Sequence, residues 1–498
     1  MHKPILKVDF PDNDLIRVGD VYYMLGTTMY FMPGCEILRS YDMVNWEHAT
    51  YVYDRLDSTD RQTLTEGNSY GAGMWAASFR YNNGIFYICF ICNDTHKTYL
   101  YTTRDIYGEW KKQEVAGFYH DSSLLFDDDG RVYIAYGNRQ IYITELNEDL
   151  TGPKEGGFHK MVLEDPPGNA LGLEGTHFYK INGTYYLFFI HSIPGRWFRT
   201  EACFMSDSLD GEWTGGDIFM DDNNSGGGIA QGAIVDTPDG KWYAVLFQDR
   251  GGSGRIPYVI PMHWEGRQPV IGDHGKLPAE DLTPACDYPH EYLPLVGSDD
   301  FTTVYGKGSC FGFHERWQFN HEPTLSLITR DIKRGTYCVE TGKVAGTPTE
   351  AQNTLTQRMC EPGCEGEITV DVSGMKEGDM AGLTALQFCY GFIGLRVEKE
   401  GCSVVYMEKP DPKTEDAVHV IATTASKKAT FKVHADFAGG NIATFFYDLG
   451  EGYTESGFKR NMPFMLQHFT GYRFGITAFS TKECGGKAEF SNFVYTEL

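Results

Sequence analysis

LGLEGTHFYKINGTYYLFF, residues 171–189, decides the reading of the first half of the chain. Asn182-Gly183 is the dipeptide of a type I′ turn, and β-rich apolar runs flank it, so Thr176–Ile181 and Thr184–Phe189 are expected to pair as an antiparallel hairpin. A lone carboxylate, Glu174, heads the first strand. The same hairpin recurs at Gly19-Asp20, Asn83-Gly84, Asp129-Gly130 and Asp239-Gly240, each followed by a tyrosine: Tyr23, Tyr87, Tyr133 and Tyr243, with Tyr186 in the reference copy.

Stepping back twelve residues from these tyrosines reaches Glu174, Trp75, Asp121 and Gln231, and a step of eleven in the first copy reaches Asp12. The repeats follow one another at roughly fifty-five residues, the length of one four-stranded propeller blade. Asn45-Trp46, Glu109-Trp110 and Glu212-Trp213 form a second marker in the outer half of three units. The first half is therefore expected to be a five-bladed β-propeller, with these five side chains converging on its axis. An irregular sandwich with coincidental hairpins is the bland alternative.

The totals agree with an all-β chain. Of 498 residues, 14% are aromatic, with 31 Tyr, 32 Phe and 57 Gly, a composition of strands and tight turns. The net charge of −25 argues against nucleic acid or an anionic membrane as partner and leaves a small neutral substrate. MHKPILKVDF carries no apolar run of a signal peptide, and no stretch has the length of a membrane span, so a cytoplasmic protein is expected. The twelve cysteines read as buried free thiols; in Cys89-x-x-Cys92, residues three apart on a strand face opposite ways and chelate poorly.

The propeller is expected to occupy residues 1–285, a linker of prolines and acids 286–300, and a β-sandwich 301–498. Strand-like runs there include Gly366–Val372, Leu383–Val397, Ala417–Thr423, Ala429–Ala435 and Ile442–Tyr447. Such sandwiches bind sugar, brace a catalytic domain or make homo-oligomers, and the sequence does not choose.

Two carboxyl groups of different protonation are the minimum apparatus for glycoside hydrolysis. Glu174 leads into an aromatic strand, which disfavours its ionised form and suits a general acid. Asp12 lies in the polar turn FPDNDL and suits a general base, with Asp14 as rival. Asp121 adds a negative charge that favours a protonated Glu174. Asp and Asn also cap turns at strand ends, but several carboxylates on one axis are costly unless something uses them. Trp75 is either core or a platform for a sugar face; Arg255, after GGSG, is a donor to sugar hydroxyls or to an acid.

PILKVDFPDNDLIRVGDVYYM, YHDSSLLFDDDGRVYIAYG and LGLEGTHFYKINGTYYLFF resemble the three acidic motifs of family 43 glycoside hydrolases. That resemblance implies a five-bladed propeller enzyme acting with inversion, mainly a β-xylosidase, α-L-arabinofuranosidase or arabinanase. It makes Asp12 the general base, Asp121 the modulator and orienting group, and Glu174 the general acid. WQFNHEP from Trp317, NTLTQRM from Asn353, VDVSGMKEGDMAGL from Val370 and GYRFG from Gly471 resemble the concanavalin-like sandwich of xylosidase-type members. By this analogy the sandwich closes part of the pocket, and Phe31, Trp75, Gln231 and Arg255 bind substrate.

Asn13-Asp14 stands where the family usually has Pro-Ser, which keeps Asp14 in contention as base. Gln231 stands where many members have a histidine that helps hold a metal ion or water in the central channel. A neutral amide organises a divalent cation poorly, so no cofactor is expected and a structural Ca²⁺ is disfavoured. The implied activity is exo-hydrolysis releasing terminal β-D-xylose or α-L-arabinofuranose from xylo-oligosaccharides or arabinoxylan fragments. The alternatives are a non-catalytic carbohydrate-binding propeller, an arabinan-directed hydrolase of the same family, or a family 32 or 62 hydrolase.

Overall fold

In the computed structural model, residues 3–165, 167–280 and 288–498 are described. Twenty strands between Asp14 and Ile271 form five antiparallel four-stranded sheets, each contiguous in sequence. Their innermost strands are Asp14–Val18, Met74–Asn82, Ser123–Phe126, Glu174–Ile181 and Ile229–Asp236. All five expected hairpins join an innermost strand to the next. Asn182 and Gly183 take φ of 50° and 82°, the left-handed pair that a two-residue I′ turn requires. Trp46, Trp110 and Trp213 each sit immediately before the outermost strand of a blade.

The eleven-residue step in the first copy has a physical cause. In blades two, four and five the innermost strand carries one extra residue relative to its partner, between Trp75 and Ser78, Glu174 and His177, and Ala230 and Gly232. Blade three has no bulge, but there and in blade five the turn is one residue longer, setting Tyr133 opposite Leu125 and Tyr243 opposite Val235. Blade one, with Tyr23 opposite Ile16, has neither the longer turn nor a bulge from Asp14 to Val18, so its ruler is one residue shorter.

The ring closes through its innermost strands. Phe79 N–H donates to Asp14 (2.7 Å), Leu124 N–H to Ser78 Oγ (2.9 Å), Phe178 N–H to Ser123 Oγ (2.9 Å) and Ile234 N–H to Tyr179 Oη (3.3 Å). Asn13 Nδ2 completes the circuit on Val245 O (2.9 Å). Every blade is thereby tied to its neighbour by a buried polar group that has found its partner.

The second half packs an eight-stranded on a seven-stranded antiparallel sheet. Phe31–Met32, from blade one, is the edge strand of the larger sheet and pairs with Phe319 and Asn320. One hydrophobic core runs from Phe10, Leu15 and Met24 of the propeller to Phe319, Phe474 and Phe490 of the sandwich. The expected boundary at 285–286 lies outside the described residues. Residues 288–300 are fastened down rather than loose: Leu293 N–H donates to Glu47 (3.0 Å), and Asp299 and Phe493 exchange two 2.9 Å backbone bonds.

The run Leu383–Val397 is two strands, Met380–Leu386 and Gly391–Val397. The interruption has a use: Gln387 Nε2 leaves the strand pattern to donate to His468 O (3.0 Å) and Thr470 O (2.8 Å), holding the loop between them. The described cysteines are free, and all but Cys338 and Cys484 are buried. No helix among the described residues is long and apolar enough to cross a membrane.

Candidate active site

The positions picked by the tyrosine ruler do converge. Asp12, Asp121 and Gln231 have φ of 52°, 47° and 60°, and Gly175, next to Glu174, has φ of 64°. These left-handed residues turn the chain at the head of the innermost strands of blades one, three, four and five. A Cβ on Gly175 would stand 2.5 Å from Gln231 Cδ, so glycine there lets blades four and five meet. Gly175 N–H in turn donates to Asp121 Oδ2 (3.2 Å). Buried Gln231 is pinned through its backbone N–H to Glu201 Oε2 (2.7 Å), a carboxyl that burial pushes well above the usual range.

Asp121 is nearly sealed, and its carboxyl is pushed up to about 6, by burial first, with Glu174 and Asp12 adding and His120 opposing. His120 Nε2 lies 3.7 Å from Asp121 Oδ1 and 4.0 Å from Glu174 Oε2. The imidazole is pushed up to about 9, chiefly by Asp121, against burial, with Glu174 and Asp12 contributing. It is therefore a cation at neutral pH, set between two acids. Glu174 accepts a hydrogen bond from Asn138 Nδ2, and its side chain is 20% exposed. Its surroundings are thus more polar than the aromatic strand suggested.

Asp12 is buried and paired with Arg255 Nη1, whose Nε reaches Asp249 Oδ1 (3.2 Å). Asp249 Oδ2 is 2.7 Å from Arg199 Nη2. The Arg255 guanidinium lies against two rings, 4.6 Å from the centre of Phe247 and 3.9 Å from that of Phe469. Phe469 belongs to the sandwich loop that Gln387 fastens. It also meets Trp75 edge to face at 5.6 Å, and Trp75 lies 6.1 Å from the His120 ring. Phe31 shares the cluster of Phe469 and Trp75 but is almost entirely covered, with the Arg473 guanidinium 3.6 Å above its ring.

Asp14 has another employment. It lies 2.7 Å from Arg80 Nη1 and 3.3 Å from His177 Nδ1, and although burial pushes its carboxyl up, Arg80 and His177 hold it down to about 2. Both of its oxygens also accept backbone N–H groups, so it is a fixed anion of the channel wall.

Among the described residues, His120, Asp121 and Glu174 are the one group of donors close enough to share a cation, within 4.8 Å of one another.

Five participants were not read from the sequence: His120, Asn138, Arg199, Asp249 and Phe469. His120 could have been suspected as the neighbour of Asp121, and Asp249 as the start of the segment ending in Arg255; Phe469 had no local signal.

Residues 1–268 match the model of glycosyl hydrolases family 43. The chain belongs to that family. Residues 312–496 match the β-xylosidase C-terminal concanavalin A-like domain. A β-xylosidase of Formosa agariphila is 26% identical over 99% of this chain and 89% of its own length. Among solved structures, a bifunctional GH43-CE protein of Bacteroides eggerthii superposes with a TM-score of 0.90 at 36% identity. This chain is covered in full and spans 64% of that longer one. A GH43 glycoside hydrolase engineered to display endo-xylanase and exo-arabinofuranosidase activity gives a TM-score of 0.86 at 29% identity, with both chains fully covered. The protein is thus a glycoside hydrolase, and its propeller and sandwich are those of the family.

Proposed function

We propose that this glycoside hydrolase is exo-acting and inverting, and that it releases terminal pentoses, β-D-xylose or α-L-arabinofuranose, from xylo-oligosaccharides or arabinoxylan fragments. The observation that carries the proposal is the meeting of Asp12, Asp121 and Glu174 around one centre that Phe469 of the sandwich partly covers. A covered end favours a chain terminus over the middle of a polymer, and the names of the relatives favour pentosides.

Asp12 takes the proton of a water that attacks the anomeric carbon, while Glu174 protonates the departing oxygen. Arg255, itself held by Asp249 and the two phenylalanine rings, orients the Asp12 carboxylate. Asp121 aligns the acid strand through Gly175 N–H. Asn138 fixes the Glu174 carboxyl. Trp75 supplies an apolar face for the sugar ring.

The test is release of 4-nitrophenol from the β-D-xylopyranoside and the α-L-arabinofuranoside, side by side, by wild type and Glu174→Gln. Turnover by wild type that falls at least about 10³-fold in Glu174→Gln is expected, since acid catalysis and its electrostatics are lost together. Retained sugar binding without turnover in wild type would favour a non-catalytic binding propeller instead.

A further inference from the structure

Gln231 stands where the family resemblance implies, in many members, a histidine that helps hold a metal ion or water, which raises the question of what neutralises the channel here. The channel oxygens of four blades are already turned toward one cation. Arg80 Nη1 donates to Asp14 Oδ2 (2.7 Å) and Phe79 O (2.6 Å), Nε to Leu124 O (2.9 Å), and Nη2 to Ser123 Oγ and, more weakly, Phe178 O (3.4 Å). Those acceptors belong to blades one, two, three and four. The guanidinium also lies 5.1 Å from the ring centre of Tyr179, whose hydroxyl accepts Ile234 N–H from blade five.

A hard divalent ion such as Ca²⁺ needs six to eight oxygens, at least some of them anionic. Asp14 is engaged on both oxygens, by Arg80, His177 and two backbone amides. Near the head of the strands, Gln231 offers a neutral amide; of the unpartnered buried acceptors, Asn13 Oδ1 and Thr176 Oγ1 are neutral, and Glu201 Oε1 belongs to a carboxyl that burial pushes well above the usual range, toward its neutral form. These residues do not fit a divalent cation. A second cation would meet the positive guanidinium and find its counter-charge spent.

We infer that Arg80 is the built-in cation of the propeller channel, joining the innermost strands of the blades, so that the protein neither holds nor requires a metal ion there. The inference does not rest on the substrate proposed above, because its readouts are metal content and thermal stability.

The experiment measures metal by elemental analysis, and unfolding temperature, for the full chain after dialysis against Ca²⁺ and then against EDTA. Wild type is expected to carry far less than one ion per chain and to melt at the same temperature in both. Arg80→Met, which roughly keeps the volume but removes the guanidinium from Asp14, is expected to melt on the order of 3–5 °C lower. Arg80→Lys, a point charge without the planar fork, should recover only part of that difference. Stoichiometric metal in wild type with a melting point that drops on chelation overturns the inference, as does Arg80→Met melting like wild type. If Arg80→Met does not accumulate as folded protein, Arg80→Lys and the wild-type metal readings decide.

Discussion

His120 offers the sharpest test of the site's electrostatics, because a charged imidazole beside two acids ties stability to pH with a defined sign. Its ordinary value of 6.5 is raised to about 9 in the folded chain. A raised cationic group stabilises the fold fully below its unfolded value and loses that contribution as pH climbs through the folded one. The shift corresponds to about 2–3 kcal/mol at pH 7 and essentially nothing above pH 10; it also fades below pH 6, because Asp121, the chief source of the attraction, has a carboxyl pushed up to about 6 and takes up its proton there. Its side chain is 25% exposed, so solvent removes only a modest part. The same attraction also restrains the Asp121 carboxyl, and the two effects are one interaction counted once. His120→Asn removes the charge at similar size. Melting curves of wild type and variant across pH 5 to 10 should separate most near pH 7, by roughly 2–3 °C in a chain of this length, and converge at the alkaline end. The imidazole resonance missing from the variant should titrate near 9 in wild type. Parallel melting curves, or a His120 resonance titrating near 6.5, would refute the reasoning.

Inversion predicts that the first product from a β-xyloside is α-xylose, which proton NMR resolves before mutarotation; β-xylose first would mean retention. The same mechanism expects the Asp12 and Glu174 carboxyl groups roughly 6.5–9.5 Å apart in a substrate complex, against about 5 Å for a retaining pair. Phe469→Ala removes the sandwich's contact with the Arg255 guanidinium and with Trp75. It should raise KM about tenfold, the worth of a desolvated cation–π contact, with a smaller change in kcat; an unchanged KM would show that the sandwich does not reach the substrate.

The propeller was legible because its information is local. Asn-Gly and Asp-Gly turns and a tyrosine at fixed offset repeat the same short-range physics five times, and a closed ring converts equal sequence position into spatial convergence. The same logic located Asp12, Asp121 and Glu174 at one end of the axis. It could not separate Asp12 from Asp14, since neighbours in a turn differ only in which partners the fold brings: Arg255 for one, Arg80 and His177 for the other. Arg199, Asp249 and Phe469 escaped because they act through space, across blades or from the other half of the chain. In the sandwich, alternating apolar runs marked strands but not breaks, so Gln387 was read as part of a continuous strand although its amide serves the loop carrying Phe469.

The pairing of Phe31–Met32 with Phe319–Asn320 bears on how the chain is made. About 290 residues separate the partners, so at 5–20 residues per second a ribosome needs roughly 15–60 s to deliver the second after the first. Throughout that interval blade one presents an unpaired strand edge and apolar neighbours, the kind of surface that recruits other chains. A truncation after the fifth blade would make this transient state permanent. The catalytic half and its appendage are therefore inherited as a single unit of folding, and yield on expression should fall steeply in propeller-only fragments.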